Sequence, residues 1–377
     1  MADQEHPRER IVPLSSGTIR INTTRADWPL DRACAFAARD NPRRGFLVVS
    51  KLLGRHIPAR PSEMRASMID LARALPADLP GPILFLGLAE TAICLGQGVH
   101  ESYRAITGRD DCLFLHSTRQ QIDHPLLARF DEPHSHASRH LIYRPVEGLA
   151  LLTAARTLVM VDDEVSTGTT LRNLADALVA ELPGIERMVV ATLADWSDGA
   201  AVAAMPRPAE IASLIAGRLE WTPGAPPPAE PPAFDVAARA MGGLAAHHNY
   251  GRLGRVDTAD EGDALADTLA LPPASRVRIV CTAEFTYPPF RIAEWLEAAG
   301  HDVVVQSTTR SPARIDGAIA HALRFADNYG TPVPNYLYNV APDDPRISVI
   351  VHETPPGSID PALVAALDAR LLWMGTR

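Results

Sequence analysis

The chain has 377 residues, 46% of them hydrophobic and 21% charged, so it has the composition of ordinary globular protein and is longer than one hydrophobic core usually grows. Two domains are therefore expected, and the net charge of -9 argues against a protein whose main task is to grip nucleic acid. The cysteines, Cys34, Cys94, Cys112 and Cys281, stand far apart with no C-x-x-C pair, which argues against a disulfide framework or a zinc knuckle and fits a reducing cytosol.

In chain order, Met1 to Arg10 is charged and lacks the apolar stretch of a signal peptide, and no later run reaches the roughly 18 apolar residues that span a bilayer. A cytoplasmic protein is expected. Short apolar runs at Gly45–Val49, Ile83–Leu86, Cys112–Leu115, His140–Tyr143, Leu158–Val161 and Met188–Leu193 alternate with helical patterns, which predicts an α/β fold with a largely parallel sheet and helices on both faces. A proline cluster over 221–235 reads as an extended linker between domains at 1–220 and 236–377. Beyond it, Val277–Cys281, Val303–Val305 and Ile347–Val351 repeat the strand character, so the second domain is also α/β.

One segment carries most of the chemistry. Leu158 to Val161 reads as a central strand, and Thr169 opens a helix with Leu171, Leu174, Leu178, Val179 and Leu182 at helical spacing. Asp162 to Gly168 is then a strand-to-helix loop at the carboxyl end of the sheet, where open α/β folds bind ligands. Ser166, Thr167, Gly168, Thr169 and Thr170 bring hydroxyls, helix-terminal N–H groups and a glycine together as a phosphate cradle. The adjacent acids Asp162 and Asp163 would repel that phosphate unless they served sugar hydroxyls and a Mg2+ ion. Together these residues describe a site for a phosphorylated sugar.

The segment resembles the signature of the type I phosphoribosyltransferases: four apolar residues, two acids, a short spacer and Thr-Gly-x-Thr. The resemblance implies that Asp162 and Asp163 hold the ribose hydroxyls and the metal of 5-phosphoribosyl-1-diphosphate (PRPP), and that Ser166 to Thr170 hold its 5-phosphate. Glu164, grouped with them, replaces an apolar residue common in that signature. It further implies a diphosphate loop at Leu88, Ala89, Glu90 and Thr91, with Lys51 and Arg55 as cations that meet diphosphate or shape the base pocket. A mobile lid is implied after the third strand, with Arg119, His134 and His136 as catalytic candidates; the alternatives for the His-x-His pair are an ordinary loop and, on pair spacing alone, a transition-metal site.

Gly87 to Ala92, His134 to Ala137, Asp162 to Thr170 and Thr309-Arg310-Ser311-Pro312 together resemble a bacterial tellurium-resistance-associated group, in which an orotate-phosphoribosyltransferase-like domain precedes a C-terminal TRSP domain. This implies Mg2+-dependent transfer of a phosphoribosyl group from PRPP to a nitrogenous base, with release of diphosphate, in the synthesis of a nucleotide or nucleoside-like metabolite. By the same resemblance the partners are PRPP, a base and a second copy of the chain as a homodimer, with no membrane and no nucleic acid. Two alternatives stay open: a ribose-phosphate diphosphokinase-like enzyme, and a PRPP-sensing or RNA-binding regulator without turnover.

The second domain repeats landmarks of the first. Ser117 stands 45 residues before Asp162, and Ser307 stands 45 before His352. This suggests a degenerate phosphoribosyltransferase-like repeat, with His352-Glu353 in place of the two acids and a phosphate loop damaged by Pro355 and Pro356, which lack N–H donors. Glu284, Ser307, Thr308, Arg310 and Ser311, at strand ends, are candidates for a separate second-domain ligand. The glycine- and cation-rich segment 242–255 is a further phosphate-contact candidate.

Overall fold

A computed structural model describes residues 9–39, 44–131, 139–224, 249–257 and 263–375. The strands β1 (Glu9–Leu14) and β2 (Gly17–Ala26) pair antiparallel, and helix α1 (Leu30–Ala33) leads to a second antiparallel pair, β3 (Cys34–Ala38) and β4 (Phe46–Ser50). Then come α2 (Pro61–Ala74), β5 (Ile83–Gly87), α3 (Ile93–Thr107) and β6 (Cys112–His116), followed by the pair β7 (Leu126–Asp131) and β8 (Arg139–Tyr143). The first half closes with α4 (Leu149–Thr153), β9 (Thr157–Val165), α5 (Thr169–Glu181), β10 (Arg187–Asp195), α6 (Ala200–Ala203) and β11 (Ala209–Pro223). The second half runs α7 (Asp263–Thr268), β12 (Arg276–Cys281), α8 (Tyr287–Ala298), β13 (Asp302–Ser307), β14 (Ala322–Phe325), β15 (Asn335–Tyr338), β16 (Ile347–His352), α9 (Pro361–Leu367) and β17 (Arg370–Trp373).

The first sheet has the order β1-β2-β11-β10-β9-β5-β6, parallel from β11 to β6 and antiparallel at β1 and β2. Its central strands are unbroken apolar runs because both faces are covered. Val159 and Val161 of β9 point into the core under α2 and α3, while Leu158 and Met160 point into the core under α4 and α5. Glycine sets one close approach: a Cβ on Gly96 of α3 would stand 2.9 Å from the Cα of Gly87, so the helix lies directly on β5.

Three expectations change. The runs at 45–49 and 140–143 lie in two-stranded ribbons outside the central sheet. An apolar run marks a buried strand without naming its neighbour. Strand β9 continues to Val165, paired with β10, so the acids belong to the strand and only 166–168 form the turn. Strand β11 runs to Pro223, with Trp221 packed on Phe46, so the first residues read as linker belong to the sheet; 225–248 lie outside the described residues.

The second sheet is all parallel, in the order β13-β12-β16-β17. This is the order β6-β5-β9-β10 of the first sheet, with α3 matched by α8, α5 by α9 and the β7–β8 ribbon by β14–β15. Hydrogen bonds match too. The Ser117 N–H donates to Gly87 O (3.0 Å) as Thr308 N–H does to Cys281 O (2.9 Å), and Ala89 N–H donates to Ser117 Oγ (2.9 Å) as Ala283 N–H does to Thr308 Oγ1 (2.8 Å). Ser117 therefore corresponds to Thr308 and not to Ser307; counting residues missed a single-residue offset. Helix α9 opens on a side-chain cap, Asp360 accepting from Ala362 N–H at 2.9 Å, with Pro361 in the first turn.

The halves interlock. The segment before α2 lies on β13, with Ala59 and Val305 exchanging hydrogen bonds of 3.0 and 2.8 Å, and the segment before α7 lies on β6, with Phe114 and Arg255 exchanging two of 2.9 Å. Each half thus covers the edge strand of the other. One apolar core runs through both, joining Met64, Leu71 and Cys94 to Cys281, Phe290 and Val305.

Candidate active site

The end of β9 opens into a cavity of about 530 Å3. Asp162, Asp163 and Glu164 form one wall, and the turn Ser166–Gly168 with Thr169 and Thr170 forms the adjoining one. Gly168 caps α5 with φ of +72°, and a Cβ there would meet Ala201 at 2.6 and 2.8 Å, so this turn accepts only glycine without rearrangement. Thr167 and Thr169 hydroxyls lie 3.1 Å apart beside the helix N-terminus, a concentration of donors suited to an anion.

Asp162 Oδ1 accepts the Asp163 N–H at 3.0 Å, which turns that carboxylate along the strand. The Asp163 carboxyl is pushed up to about 6, first by burial and then by the neighbouring Glu164 charge. Glu164 is ion-paired with Arg44, whose guanidinium lies 4.8 Å over the Phe46 ring; Phe46 in turn packs on Trp221 at 5.1 Å. This aromatic end of the cavity is walled further by Val48, Trp196 and Leu219. Two buried polar atoms of its lining, Glu164 Oε2 and Trp196 Nε1, have no partner among the described residues.

Leu88, Ala89, Glu90 and Thr91, in the strand-turn-helix connection between β5 and α3, form the opposite wall; the Ala89–Glu90 peptide is cis. Arg119 and His140 also line the cavity, His140 with its Nδ1 3.0 Å from Ser117 Oγ and its ring stacked on Phe130. His56 borders it as well, and burial, then the Arg55 and Arg39 cations, push its imidazole down to about 3. Thr309, Arg310, Ser311 and Val333 of the second half complete the enclosure.

Several candidates fall elsewhere. Lys51 does not line the cavity: its Nζ donates to Asp31 O at 2.7 Å. Arg55 is buried as a strut between the halves, donating to Ala283 O (2.9 Å), Thr308 O (2.6 Å) and Glu90 O (2.5 Å). The five proposed second-domain ligand residues divide between contacts to the first half and the cavity already described. Glu284 accepts from Thr118 Oγ1 and from Arg119 N–H (2.7 Å), Ser307 N–H donates to Gly54 O (2.6 Å), and Thr308 holds Ala283, whereas Arg310 and Ser311 face the first half's cavity. In 242–255, Arg252 is ion-paired with Glu353 and Arg255 pairs through its backbone with Phe114 of β6, while 242–248 lie outside the described residues, as do His134 and His136.

Sequence reasoning missed the aromatic end and the contribution of the second half. A signal for the latter was present: Ala89-Glu90 after β5 recurs as Ala283-Glu284 after β12. The two glutamates are bound reciprocally, Glu284 by Thr118 of the first half and Glu90 by Thr309 of the second, at 3.2 Å.

Residues 33–218 match the family described as "Phosphoribosyl transferase", and residues 245–367 match the "TRSP domain C terminus to PRTase_2". The chain belongs to this family of phosphoribosyl transferase domains followed by a TRSP domain. Among solved structures, it is similar to the adenine phosphoribosyltransferase of Rhodothermus marinus, at 15% identity and a TM-score of 0.32, over 49% of this chain and 95% of that one. It is also similar to the Saccharomyces cerevisiae adenine phosphoribosyltransferase, at 12% identity and a TM-score of 0.27, over 40% of this chain and 78% of that one. The Trypanosoma brucei enzyme, in complex with AMP, pyrophosphate and ribose-5-phosphate, gives 12% identity and a TM-score of 0.28, over 44% of this chain and 65% of that one. No curated protein matches the chain. No helix among the described residues is long and apolar enough to cross a membrane.

Proposed function

We propose that the chain transfers the 5-phosphoribosyl group of PRPP to a nitrogenous base and releases diphosphate, as a cytoplasmic enzyme of nucleotide or nucleoside-like metabolite synthesis. The observation that carries this reading is one cavity holding a hydroxyl-rich helix N-terminus, a carboxylate pair and an aromatic recess side by side. The 166–170 turn takes the 5-phosphate, and Asp162 and Asp163 accept hydrogen bonds from the ribose hydroxyls. The base lies in the recess of Phe46 and Trp221, where Glu164 Oε2 and Trp196 Nε1 offer an acceptor and a donor to its edge.

Asp162 and Asp163 also fit Mg2+, which takes one or two carboxylates together with substrate phosphates and water, and which would neutralise charge on the departing diphosphate. The donor set is of the right kind: hard oxygens on one strand end, facing the space where the phosphates would lie.

In the reaction, the bond from the anomeric carbon to the diphosphate oxygen breaks and a bond to the base nitrogen forms. Positive charge develops on the sugar in between, and the carboxylates beneath it stabilise that charge. The enclosing walls orient base and sugar and exclude water that would hydrolyse PRPP. Arg119, which lines the same cavity, meets the leaving group in this reading.

A diphosphokinase requires a second nucleotide site. In the second half the position equivalent to Asp163 is Glu353, which is fully buried against Arg252 and Tyr329 and open to no ligand. The test is diphosphate release from PRPP and Mg2+ across a panel of purine, pyrimidine and other heterocyclic bases. Base-dependent release establishes the transferase and names the acceptor; PRPP binding with no release for any base favours the sensor.

A further inference from the structure

We propose that the C-terminal domain is a silent copy of the phosphoribosyl transferase core that serves as a built-in second subunit, delivering the Arg310 guanidinium to the diphosphate end of the first half's cavity. The inference rests on the transfer reading above. Three observations lead to it.

The first is the internal two-fold relation. The two sheets share strand order, their matched loops make matched hydrogen bonds, and each half donates a threonine hydroxyl to the other half's Ala-Glu glutamate. Such reciprocity is the signature of an isologous interface, here formed within one chain.

The second is the loss of the mirror site. Where the first half opens Asp163 to a cavity, the second half holds Glu353 in a two-pronged ion pair with Arg252 at 2.6 and 2.7 Å and accepts the Tyr329 hydroxyl at 2.8 Å. The neighbouring acid has become His352, directed at Thr354 O (2.9 Å), and Thr354 is closed off by Ser358 at 2.6 Å and Asn328 at 3.0 Å. Glu353, one ring nitrogen of His352 and the Thr354 and Ser358 hydroxyls of this copy are thus held by partners within the second half.

The third is the direction of Arg310. It follows β13 as Arg119 follows β6, yet it lines the first half's cavity beside Glu90. Asp327 steadies it, both oxygens 3.4 Å from one terminal nitrogen, and Asp327 is itself fixed by Thr331 (2.7 Å) and Asn335 (2.6 Å). Its Nε is buried without a hydrogen-bond partner among the described residues, in a loose ion pair with Glu90 at 4.0 Å. Burial works against this cation, but the Asp327, Glu90 and Glu284 carboxylates outweigh it and keep the guanidinium charged. A diphosphate drawn against the 88–91 turn needs cationic donors there, and Arg55 of the first half does not line the cavity, being committed to carbonyl oxygens and to Glu90 at 3.7 Å. The second half thus adds a further cation to Arg119, which the first half itself brings to the cavity.

The test is calorimetry on the full chain, comparing wild type, Arg310→Ala, Arg310→Gln and Arg310→Lys for PRPP with Mg2+ and, separately, for ribose 5-phosphate, which lacks the diphosphate. The expected result is a loss of PRPP affinity of about tenfold or more in the alanine and glutamine variants, with ribose 5-phosphate affinity unchanged and partial recovery in the lysine variant. Unchanged ribose 5-phosphate binding also certifies that a variant has folded. Equal loss for both ligands would mark Arg310 as a structural strut and overturn the proposal, as would no loss for either. A wild type that binds neither ligand overturns the transfer reading itself and this inference with it.

Discussion

The same strand end appears twice in this molecule, and the two versions differ in what they do with their acids. In the first half Asp162 and Asp163 border an open cavity, and one of them holds its proton up to about pH 6. In the second half Glu353 is locked against Arg252, with side chains 0% and 1% exposed. An acid left under strain by burial and a like charge is a mark of a working site. An acid fully neutralised by an arginine is a mark of structure. One fold thus carries an open acid-lined cavity in one copy and a brace in the other.

The comparison can be broken by exchanging effects between the halves. The largest expected effect is on binding: Asp162→Asn with Asp163→Asn abolishes measurable PRPP affinity in calorimetry, a drop of about a hundredfold or more as several charge-assisted hydrogen bonds vanish together. Next is stability. Glu353→Gln leaves Arg252 buried without its charge partner and should cost about 3 to 5 kcal/mol in urea unfolding, whereas Asp163→Asn should leave stability equal or higher. If both substitutions destabilise alike, the contrast between the copies fails.

A smaller effect separates the two phosphate turns. Gly168 and Gly357 both have positive φ, +72° and +84°, but a Cβ at Gly168 strikes Ala201 while one at Gly357 meets nothing within 4 Å. Gly357→Ala should cost only about 1 to 2 kcal/mol, the price of the left-handed backbone, and Gly168→Ala should cost more and weaken ribose 5-phosphate binding besides. The smallest effect is in pH. The proposed reading has PRPP held by the Asp163 carboxylate, so it predicts that affinity falls as pH drops through about 6 and that Glu164→Gln moves that fall to lower pH by removing the neighbouring charge. Folding stability has the opposite sign: because the folded carboxyl titrates above its ordinary value, its contribution is present at low pH and is lost as pH rises toward about 6.

The strand-turn-helix of 158–182 was legible because its signals are local: an apolar run, an acid pair, hydroxyls with a glycine and a helical period. The second half's strands were legible for the same reason. Strand partners were not, since Phe46–Ser50 and Arg139–Tyr143 look like core strands until a neighbour is known. Nor was the role of Arg310 legible: its position opposite Glu90 depends on two loops 220 residues apart meeting across the interface. Charge alone could not sort Lys51 and Arg55, because a cation after a strand is equally suited to a ligand and to backbone carbonyls. The repeat was visible as landmarks, and its one-residue offset emerged only when Thr308 was found making the hydrogen bonds of Ser117.

The measurement that tests the central claim most directly is calorimetric titration of the full chain with PRPP and Mg2+. One binding site per chain, lost in the Asp162→Asn/Asp163→Asn variant and retained in Glu353→Gln, is the predicted result. No binding, or binding that survives loss of the aspartate pair, would contradict it.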